Sequence, residues 1–558
     1  MSNPFTSLNI GLKALQTQKK SLDVTGHNIA NANNKNYSRQ RAVHSATDPY
    51  PVPGINSPAG AGQVGTGVKI SEIKRMRDQF IDGQIREETQ KHGQWSRLQQ
   101  GLHRIELIMN EPSQSGLNTA MEKFWQSLQD LSNHPEDSAT RSTVRQRGMG
   151  VVNTFHNLYD QLQDYKKSLD SDFASTVKEV NSLGQRIADL NQQIDKVEFD
   201  GNKANDLLDK RNKLLNELSQ KINNKVQTTE NNSINITIGG TALIRGNKVN
   251  QLEINKNHSN SESTVKFENS SRNLEVESGE LKGIIKTRDT VIDNYIDKLD
   301  KMAQGFAQKF NEVHQNGFDL NGNKGQEFFK MDSNADHPAR YIDLTDTIKS
   351  DINKIAAGNY SNKPEVVTID EISNATDNIY EMEIVENTAG SDDLEITITE
   401  KDQDGNILKA ETATANKGDL IDTTTTVFSS LNGEFEFKAY QTGEANISLA
   451  ANRGSGNNAI ELANTIKKDN IINENATVKD FYESVISDLG VEAQRANQMV
   501  NNQEVLVNQL ENQQESIAGV SLDEEMSNMI KYQQAYNAAA KVISNTNKML
   551  DNLMNAIR

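Results

Sequence analysis

Two short stretches contain the residue types of ligand sites. GAGQVG, from Gly60, has the glycine spacing of a dinucleotide-binding turn, and DLNGNKGQE, from Asp319, places oxygen donors at alternate positions as calcium loops do. The glycine run follows PVPGINSPA rather than a strand, and no helix pattern follows it. The second stretch has Lys324 and Lys330 where a calcium loop needs glycine and a bidentate glutamate. We therefore predict a loop and a turn, with no cofactor and no metal.

The sequence lacks the motifs typical of catalytic sites. The nine histidines occur singly, from His27 to His337, and none has the spacing of zinc ligands. The chain has no cysteine, no nucleophile elbow and no P-loop, and its carboxylates fall mostly on predicted helix faces, where solvated charge is usual. These observations predict a protein without enzymatic activity.

Composition and charge narrow the class of protein further. The 558 residues allow several domains, and 35% hydrophobic with only 5% aromatic residues favour long helices and polar strands over one large core. A net charge of -18 disfavours nucleic acid and anionic membrane surfaces as partners. The sequence has neither a cleavable signal pattern nor an apolar run of about 20 residues. We therefore expect either a cytoplasmic protein or one exported without a cleaved signal.

Apolar residues recur at alternating spacings of three and four at both ends of the chain, as in coiled-coil seams. The N-terminal series consists of Phe5, Leu8, Leu12, Leu15, Leu22 and Ile29. The C-terminal series consists of Leu522, Met526, Met529, Tyr536, Ile543, Leu550, Met554 and Ile557. Ser521 and Glu524 form a capping-box pattern at the start of the second series. Periodicity alone leaves open whether the partner helix belongs to the same chain or to another copy.

The middle of the chain combines helical and strand patterns. Further seams predict helices over 158–197 and 482–517, a shorter helix from Asn205 and another from Thr290, while SINITIGG and NKVNQLEI alternate as strands. Residues 336–470 are rich in Thr, Asn and Asp and contain strand-like patches. The predicted fold class is α+β multidomain. It comprises a terminal α-helical coiled-coil domain (1–50 and 518–558), a mainly helical middle domain (51–335 and 471–517) and a β-rich exposed insert (336–470).

Two long stretches resemble the signatures of one protein family. SLDVTGHNIANANNKNYSRQ, from Ser21, resembles the N-terminal signature of the flagellar rod, hook and hook-associated axial proteins. SLDEEMSNMIKYQQAYNAAAKVISNTNKMLDNLMNAI, from Ser521, resembles their C-terminal signature. The family usually has Thr-Pro-Gly where this chain has Asn34, Lys35 and Asn36. Asparagine adopts left-handed backbone more easily than most residues, so a turn is compatible with the substitution.

Three further stretches resemble the hook-associated members of this family. They are QVGTGVKISEIKRMRDQFIDGQIREE, NDLLDKRNKLLNELS and SGELKGIIKTRDTVIDNYIDKLDKMAQGFAQKFNEVHQNGFDLNGNKGQEFF. They favour a structural adapter between hook and filament over the alternative, a hook or distal rod subunit. An enzymatic insert is disfavoured, because residues 336–470 lack a metal triad and a nucleophile motif.

The resemblance also implies partners and a location. We expect self-assembly into a ring or short helical tube at the extracellular hook–filament junction, next to hook protein and hook-associated protein 3. The resemblance further implies export of the unfolded chain by the flagellar type III route, with a FlgN-like export chaperone.

The resemblance assigns roles to particular residues. The implied assembly interface comprises both terminal apolar series together with Asn28 and Asn31, whose amides lie in a polar segment after the first helix. The implied chaperone-binding residues are Leu522, Met526, Met529, Ile543 and Leu550.

Overall fold

The computed structural model describes residues 4–48, 65–109, 113, 116–229, 232–256, 263–331, 336–359, 366–374, 376, 378–387, 392–402, 405–424, 427–448, 455–468 and 476–557. The chain divides into two compact units. The first comprises Met1–Gly101, Ser168–Asp289 and Ala493–Arg558, and the second comprises Leu102–Lys167 and Thr290–Glu492.

Twelve α-helices occur in the described residues. They are α1 (Pro4–Ala30), α2 (Gln79–Met109), α3 (Leu117–Asn133), α4 (Ser138–Phe199), α5 (Asn205–Lys221), α6 (Glu280–Lys286), α7 (Ile292–Asn316), α8 (Pro338–Tyr341), α9 (Asp346–Ser350), α10 (Asn457–Lys467), α11 (Val478–Ala518) and α12 (Leu522–Ile557). A π-helical turn, Thr287–Val291, separates α6 from α7. The long helices predicted at both ends and in the middle are confirmed, as is the short helix from Asn205, but α4 begins at Ser138 rather than at the predicted residue 158.

Seventeen strands accompany these helices in the same described ranges. They are β1 (Gln40–Ala46), β2 (Val68–Arg75), β3 (Lys225–Thr228), β4 (Ile234–Ile238), β5 (Thr241–Arg245), β6 (Lys248–Val249), β7 (Leu252–Lys256), β8 (Ser263–Phe267), β9 (Phe329–Lys330), β10 (Asp343–Leu344), β11 (Val367–Asn374), β12 (Ile379–Glu386), β13 (Asp393–Lys401), β14 (Ile407–Asn416), β15 (Leu420–Asp422), β16 (Glu434–Ala439) and β17 (Gly443–Ser448). Long helices with several small sheets confirm the predicted α+β multidomain class.

In the first unit, the two terminal helices pack against each other. Gly11 of α1 approaches α12 so closely that a Cβ atom there would lie 2.8 Å from Ile543 Cγ1. At the other end of α1, Asn28 bonds to Glu525 near the start of α12. The two helices therefore run antiparallel. The α1 helix also contacts the antiparallel β1–β2 hairpin.

A four-stranded sheet in the first unit confirms the strands predicted around Gly239 and Gly240. Both glycines have positive φ angles, 53° and 80°, as a two-residue hairpin turn between β4 and β5 requires. The sheet has the order β3-β4-β5-β6. Asn191 of α4 fixes the sheet to the helix, because its Nδ2 donates to the carbonyls of Ile234 (3.0 Å) and Gly246 (2.7 Å).

The second unit contains an aromatic cluster and two further sheets. Phe124, Phe306, Phe310, Phe328 and Phe329 are fully buried, and their rings pack at centroid distances typical of edge-to-face and tilted pairs. Strands in the orders β11-β16-β15 and β14-β13-β12-β17 share a separate apolar core.

The strands of the predicted β-rich insert are confined to its centre. Between 336 and 470 they lie mainly within 367–448, and α8, α9 and α10 occupy the flanks. The α10 sequence contains three asparagines, which have low intrinsic helix propensity, so packing against α3 and α7 stabilises this helix. The division of the chain into three domains stays a prediction.

The calcium-like stretch forms a turn, as predicted. Asp319 Oδ1 accepts hydrogen bonds of 2.8 Å from the backbone N-H groups of Asn321 and Asn323, and Lys354 Nζ lies 2.9 Å from Oδ2. These donors hold the pKa of Asp319 below its usual value in spite of burial. The GAGQVG stretch lies outside the described residues apart from Gly65. Among the described helices, none has the length and apolarity to cross a membrane.

His314 makes the second unit sensitive to pH. Its ring is fully buried, Nδ1 donates to the Gln326 carbonyl, and Nε2 accepts from the Ala356 backbone N-H at 2.9 Å. Burial lowers the pKa of His314 from 6.5 to about 4. The folded state disfavours the protonated ring. The contribution of the neutral His314 ring to the free energy of unfolding is therefore complete above about pH 6.5. It is lost as the pH falls toward 4, by about 3 kcal/mol in total.

Unfolding measured at pH 7.5 and pH 4.5 tests this prediction. In H314Q, glutamine can donate and accept hydrogen bonds but does not titrate, so we expect a smaller loss of stability between the two pH values. The control is H103Q, since His103 is largely exposed. Equal pH dependence in the wild type and H314Q would contradict the assignment.

Candidate assembly interface

The asparagine-rich segment after α1 forms a series of tight turns. The Asn31 backbone N-H and Nδ2 both donate to the His27 carbonyl, at 3.2 and 3.0 Å, which closes the C-terminal end of the helix. The Asn34 N-H then donates to the Asn31 carbonyl, and Asn34 Oδ1 accepts from the Asn36 N-H at 3.2 Å. The asparagine amides thus satisfy backbone groups at this helix exit.

Asn28 is the centre of a buried polar network at this exit. Its Oδ1 accepts from Tyr37 Oη (2.7 Å) and from the Gln40 N-H (3.0 Å), and its Nδ2 donates to the Gln40 carbonyl (2.8 Å) and Glu525 Oε2 (3.0 Å). Only 1% of the residue is exposed. All four hydrogen-bonding positions of the amide are therefore used within the chain.

Arg39 connects the same segment to the start of α12. Its Nε donates to Glu525 Oε1 at 2.8 Å, and its NH1 lies 2.6 Å from Glu524 Oε2. Ser521 Oγ accepts from the Glu524 N-H at 3.5 Å, which is the first half of the predicted capping box. The Glu524 carboxylate, predicted to complete that box, is instead paired with Arg39.

Ser38 connects the segment to α5 and β2. Its N-H and Oγ donate to the two Asp209 carboxylate oxygens at 2.9 and 2.6 Å, and Arg75 NH1 lies 3.2 Å from Oδ1. Burial raises the pKa of Asp209, whereas the Ser38 hydrogen bonds and Arg75 oppose that rise. Burial, with the nearby carboxylates, also raises the pKa of Tyr37, which therefore remains a neutral donor. We call the contacts of Asn28 and residues 37–40 with α5, β2 and α12 the exit-loop network.

The helix α1 buries mainly small and polar side chains. The buried positions of α1 are Gly11, Thr17, Ser21, Val24, Thr25 and Asn28. Thr17 Oγ1 donates to the Val68 carbonyl at 3.2 Å, and Ser21 Oγ lies 2.8 Å from His44 Nε2, so this face packs against the β1–β2 hairpin.

The predicted apolar series of α1 lies on another side of the helix. In the paired helices, Phe5 and Leu12 are exposed, Leu12 at 46%, and the other members of the series are partly exposed. The other members are Leu8, Leu15, Leu22 and Ile29. Pairing of the helices within one chain therefore leaves part of this apolar surface in contact with solvent.

The predicted series of α12 divides between two sides. Met529, Tyr536, Ile543 and Leu550 are partly buried, whereas Leu522, Met526 and Met554 are exposed, Met526 at 57%. The Ile557 side chain lies outside the described residues. Ile530, which we did not predict, extends Leu522 and Met526 as an exposed stripe at four-residue spacing. We call Leu522, Met526 and Ile530 the α12 stripe.

The structure places the predicted site residues in different environments. Asn28 is buried inside the chain, Asn31 closes α1, and the apolar residues range from half-buried to exposed. The sequence analysis did not single out Asp209, Arg75 or Glu525, although each lies in one of the stretches that resemble the family. The described residues contain no group of three or more histidines, aspartates or glutamates arranged to hold a metal ion.

Comparison with protein families supports an axial flagellar protein. The family described as flagellar basal body rod FlgEFG protein C-terminal matches residues 512–556, which include all but the last residue of α12. The family described as flagellar hook-associated protein FlgK helical domain matches residues 102–329.

Full-length relatives define the family. Flagellar hook-associated protein 1 of Bacillus subtilis (strain 168) is 30% identical over 594 aligned positions, which cover 100% of this chain and 99% of that protein. Flagellar hook-associated protein 1 of Salmonella typhimurium is 29% identical, with 98% and 99% covered. The chain belongs to the flagellar hook-associated protein 1 family.

A solved structure supports the fold. The flagellar hook junction protein FlgK from Burkholderia pseudomallei matches with a TM-score of 0.59, 17% identity, and coverage of 78% of this chain and 100% of that chain.

The exit-loop network predicts a large effect for one amide-to-acid change. N28D removes the Nδ2 donor and places a second carboxylate against buried Glu525. We expect the free energy of unfolding of the first unit to fall by about 2–4 kcal/mol. Chemical denaturation measures this change, and hydrogen exchange at the Arg39 and Gln40 amides locates it.

The matched control is N36D, which adds the same charge at an exposed position of the same segment. We expect N36D to change stability by less than about 0.5 kcal/mol. Equal stability of the two variants would show that the Asn28 network does not stabilise the unit.

Proposed function

We propose that this chain is a structural adapter that joins the hook to the filament of the bacterial flagellum. Head-to-tail helical contacts of its terminal helices build a ring or short tube. The observation that carries the proposal is the apolar surface left on α1 and α12 after they pair within one chain, above all the α12 stripe and Leu12. Contiguous exposed apolar side chains mark surfaces that bind other proteins.

The exposed surface suits a heterologous contact. The apolar series of α1 and the α12 stripe lie on different helices of the same pair. The α1 series of one copy can therefore pack against the α12 stripe of the next copy. Contacts between two different patches propagate in one direction and give rings or helical tubes. In this proposal Asn28 acts by holding the pair together, and Asn31 by closing α1, whereas the apolar residues make the contacts between copies.

The proposed neighbours are hook protein on one side and the second junction protein, hook-associated protein 3, on the other. The names of the Bacillus and Salmonella relatives and of the Burkholderia junction protein support this position. We also propose that the β-rich centre of residues 336–470 faces outward from the tube, that the terminal helices form its inner wall, and that neither acts as an enzyme.

We propose export of the unfolded chain through the flagellar type III route, without a cleaved signal, and binding of a FlgN-like chaperone at α12. Three of the expected chaperone-binding residues, Met529, Ile543 and Leu550, are partly buried in the folded chain, and Ile543 lies close to Gly11 of α1. A chaperone groove can take all five together only before α1 and α12 pair. Chaperone binding and helix pairing therefore exclude each other.

A hook or distal rod subunit is the second candidate. The match of residues 512–556 to a rod-protein family favours it, because the C-terminal helix is of a type shared with rod proteins. The full-length relatives favour the adapter.

Deletion of the gene separates these two candidates. We expect electron microscopy of the deletion strain to show complete hooks without filaments, with flagellin in the medium, because the filament has no adapter on which to grow. Absence of hooks would instead support the hook or rod subunit.

Substitution of the α12 stripe tests the assembly surface. We expect L522Q/M526Q to abolish motility while leaving the unfolding midpoint within about 2 °C of wild type, because both side chains are exposed in the isolated chain.

The matched control is V491Q/V505Q, which replaces two similarly exposed apolar residues of α11. We expect this variant to swim normally. If L522Q/M526Q folds, is secreted and still supports filaments, the α12 stripe is not the assembly surface.

A further inference from the structure

A cavity in the first unit has a cationic lining that the proposed assembly role does not use. Its volume is about 590 Å³, and β2, the start of α2, α5 and β4 contribute to its walls. Its cationic lining residues are Lys74, Arg75, Arg77, Arg86, Lys203 and Arg211. Its carboxylate lining residues are Glu72, Asp82 and Glu198.

Two of the arginines have carboxylate partners inside the chain. Arg77 Nε lies 2.8 Å from Asp82 Oδ2, and Arg75 NH1 lies 3.2 Å from Asp209 Oδ1. Asp82 also accepts a hydrogen bond from Gln514. Both oxygens of the Asp82 carboxylate are therefore already hydrogen-bonded to side chains other than Arg86.

Arg211 is buried, and its Nε–H donor has no hydrogen-bond partner among the described residues. Only 4% of the residue is exposed, and its NH1 donates to Asn191 Oδ1 (2.8 Å) and to the Asn232 carbonyl (2.7 Å). Burial lowers the pKa of Arg211 to about 10, which reflects desolvation that nearby charges do not offset.

Arg86 is the second guanidinium without a carboxylate in contact. No ion pair or hydrogen bond to its side chain is found within the described ranges, although Asp82 lies near enough to favour its charge. Burial is the largest influence and lowers the pKa of Arg86. Arg86 and Arg211 therefore both line this cavity, and neither has a carboxylate in direct contact among the described residues.

The carboxylate across the cavity does not fill these positions. Glu198 Oε2 accepts from Asn232 Nδ2 at 2.8 Å, and Oε1 has no partner among the described residues. Neither Glu198 oxygen forms an ion pair with Arg86 or Arg211 among the described residues. Glu72 is exposed, so solvent screens its charge.

We propose that this cavity binds a tetrahedral oxyanion, phosphate or sulfate, with Arg86 and Arg211 as its charged donors. The planar guanidinium group matches the oxygens of such ions and binds them through paired hydrogen bonds. The volume accommodates the ion together with water. A bound ion would connect α2 to α5, and through Arg75 and Arg77 it would add support to the exit-loop network.

Titration calorimetry of the full-length chain tests the site. Phosphate and sulfate are added separately, at millimolar concentrations and constant ionic strength set with chloride. We expect saturable binding of at least one ion with one site per chain, and R86Q should weaken it about tenfold, as loss of a charge-assisted hydrogen bond does. A direct comparison of the phosphate and sulfate titrations identifies the preferred ion.

The matched control is R104Q, which removes an exposed arginine from the same helix and should bind like the wild type. R86K, which keeps the charge but loses the planar guanidinium group, should bind with intermediate affinity. It replaces R86Q in the titration if R86Q does not fold. Equal binding by the wild type and both Arg86 variants, or a response that grows without saturation as general anion effects do, would overturn the proposal.

Discussion

The amide of Asn28 joins parts of the chain that are far apart in sequence. It bonds to the exit loop nine and twelve residues later and to Glu525, 497 residues away. Closing so long a loop has a cost in conformational entropy. This cost increases only slowly with loop length, and several charge-assisted contacts can offset it. Arg39 supplies two of these contacts at the start of α12. The antiparallel pairing of the terminal helices depends on this set of polar bonds as well as on close packing at Gly11.

The buried face and the exposed face of α1 carry different kinds of side chain. Thr17, Ser21 and Thr25 are small, polar and buried; Thr17 donates to the Val68 carbonyl of the hairpin, and Ser21 contacts the His44 side chain there. They bury little apolar area, so packing on this face adds only modest hydrophobic stabilisation. The larger apolar residues of the helix remain partly accessible. Polar contacts thus hold the terminal pair in register, and the apolar side chains left partly exposed are the ones that the proposed contacts between copies would bury.

Much of the fold could be predicted from the sequence, because long helices have strong periodic signals. The ends of α1, α5, α11 and α12 lie within a few residues of their predicted positions, and Gly239 with Gly240 located a hairpin. The short helix α10 escaped prediction because tertiary packing, not local propensity, stabilises it. The orientation of the apolar series of α1 was also not predictable, since periodicity identifies a face but not its partner.

The site was predictable only in part. The asparagine-rich segment was recognisable, but the sequence could not pair Asn28 with Glu525 or Ser38 with Asp209, because no local pattern relates such distant positions. The exit-loop network also makes the end of α1 depend on the start of α12. A chain that stops before Glu525 leaves the Asn28 amide and the Arg39 guanidinium without their α12 partners. During synthesis, residues 28–39 therefore acquire these buried partners only after the start of α12 has been made.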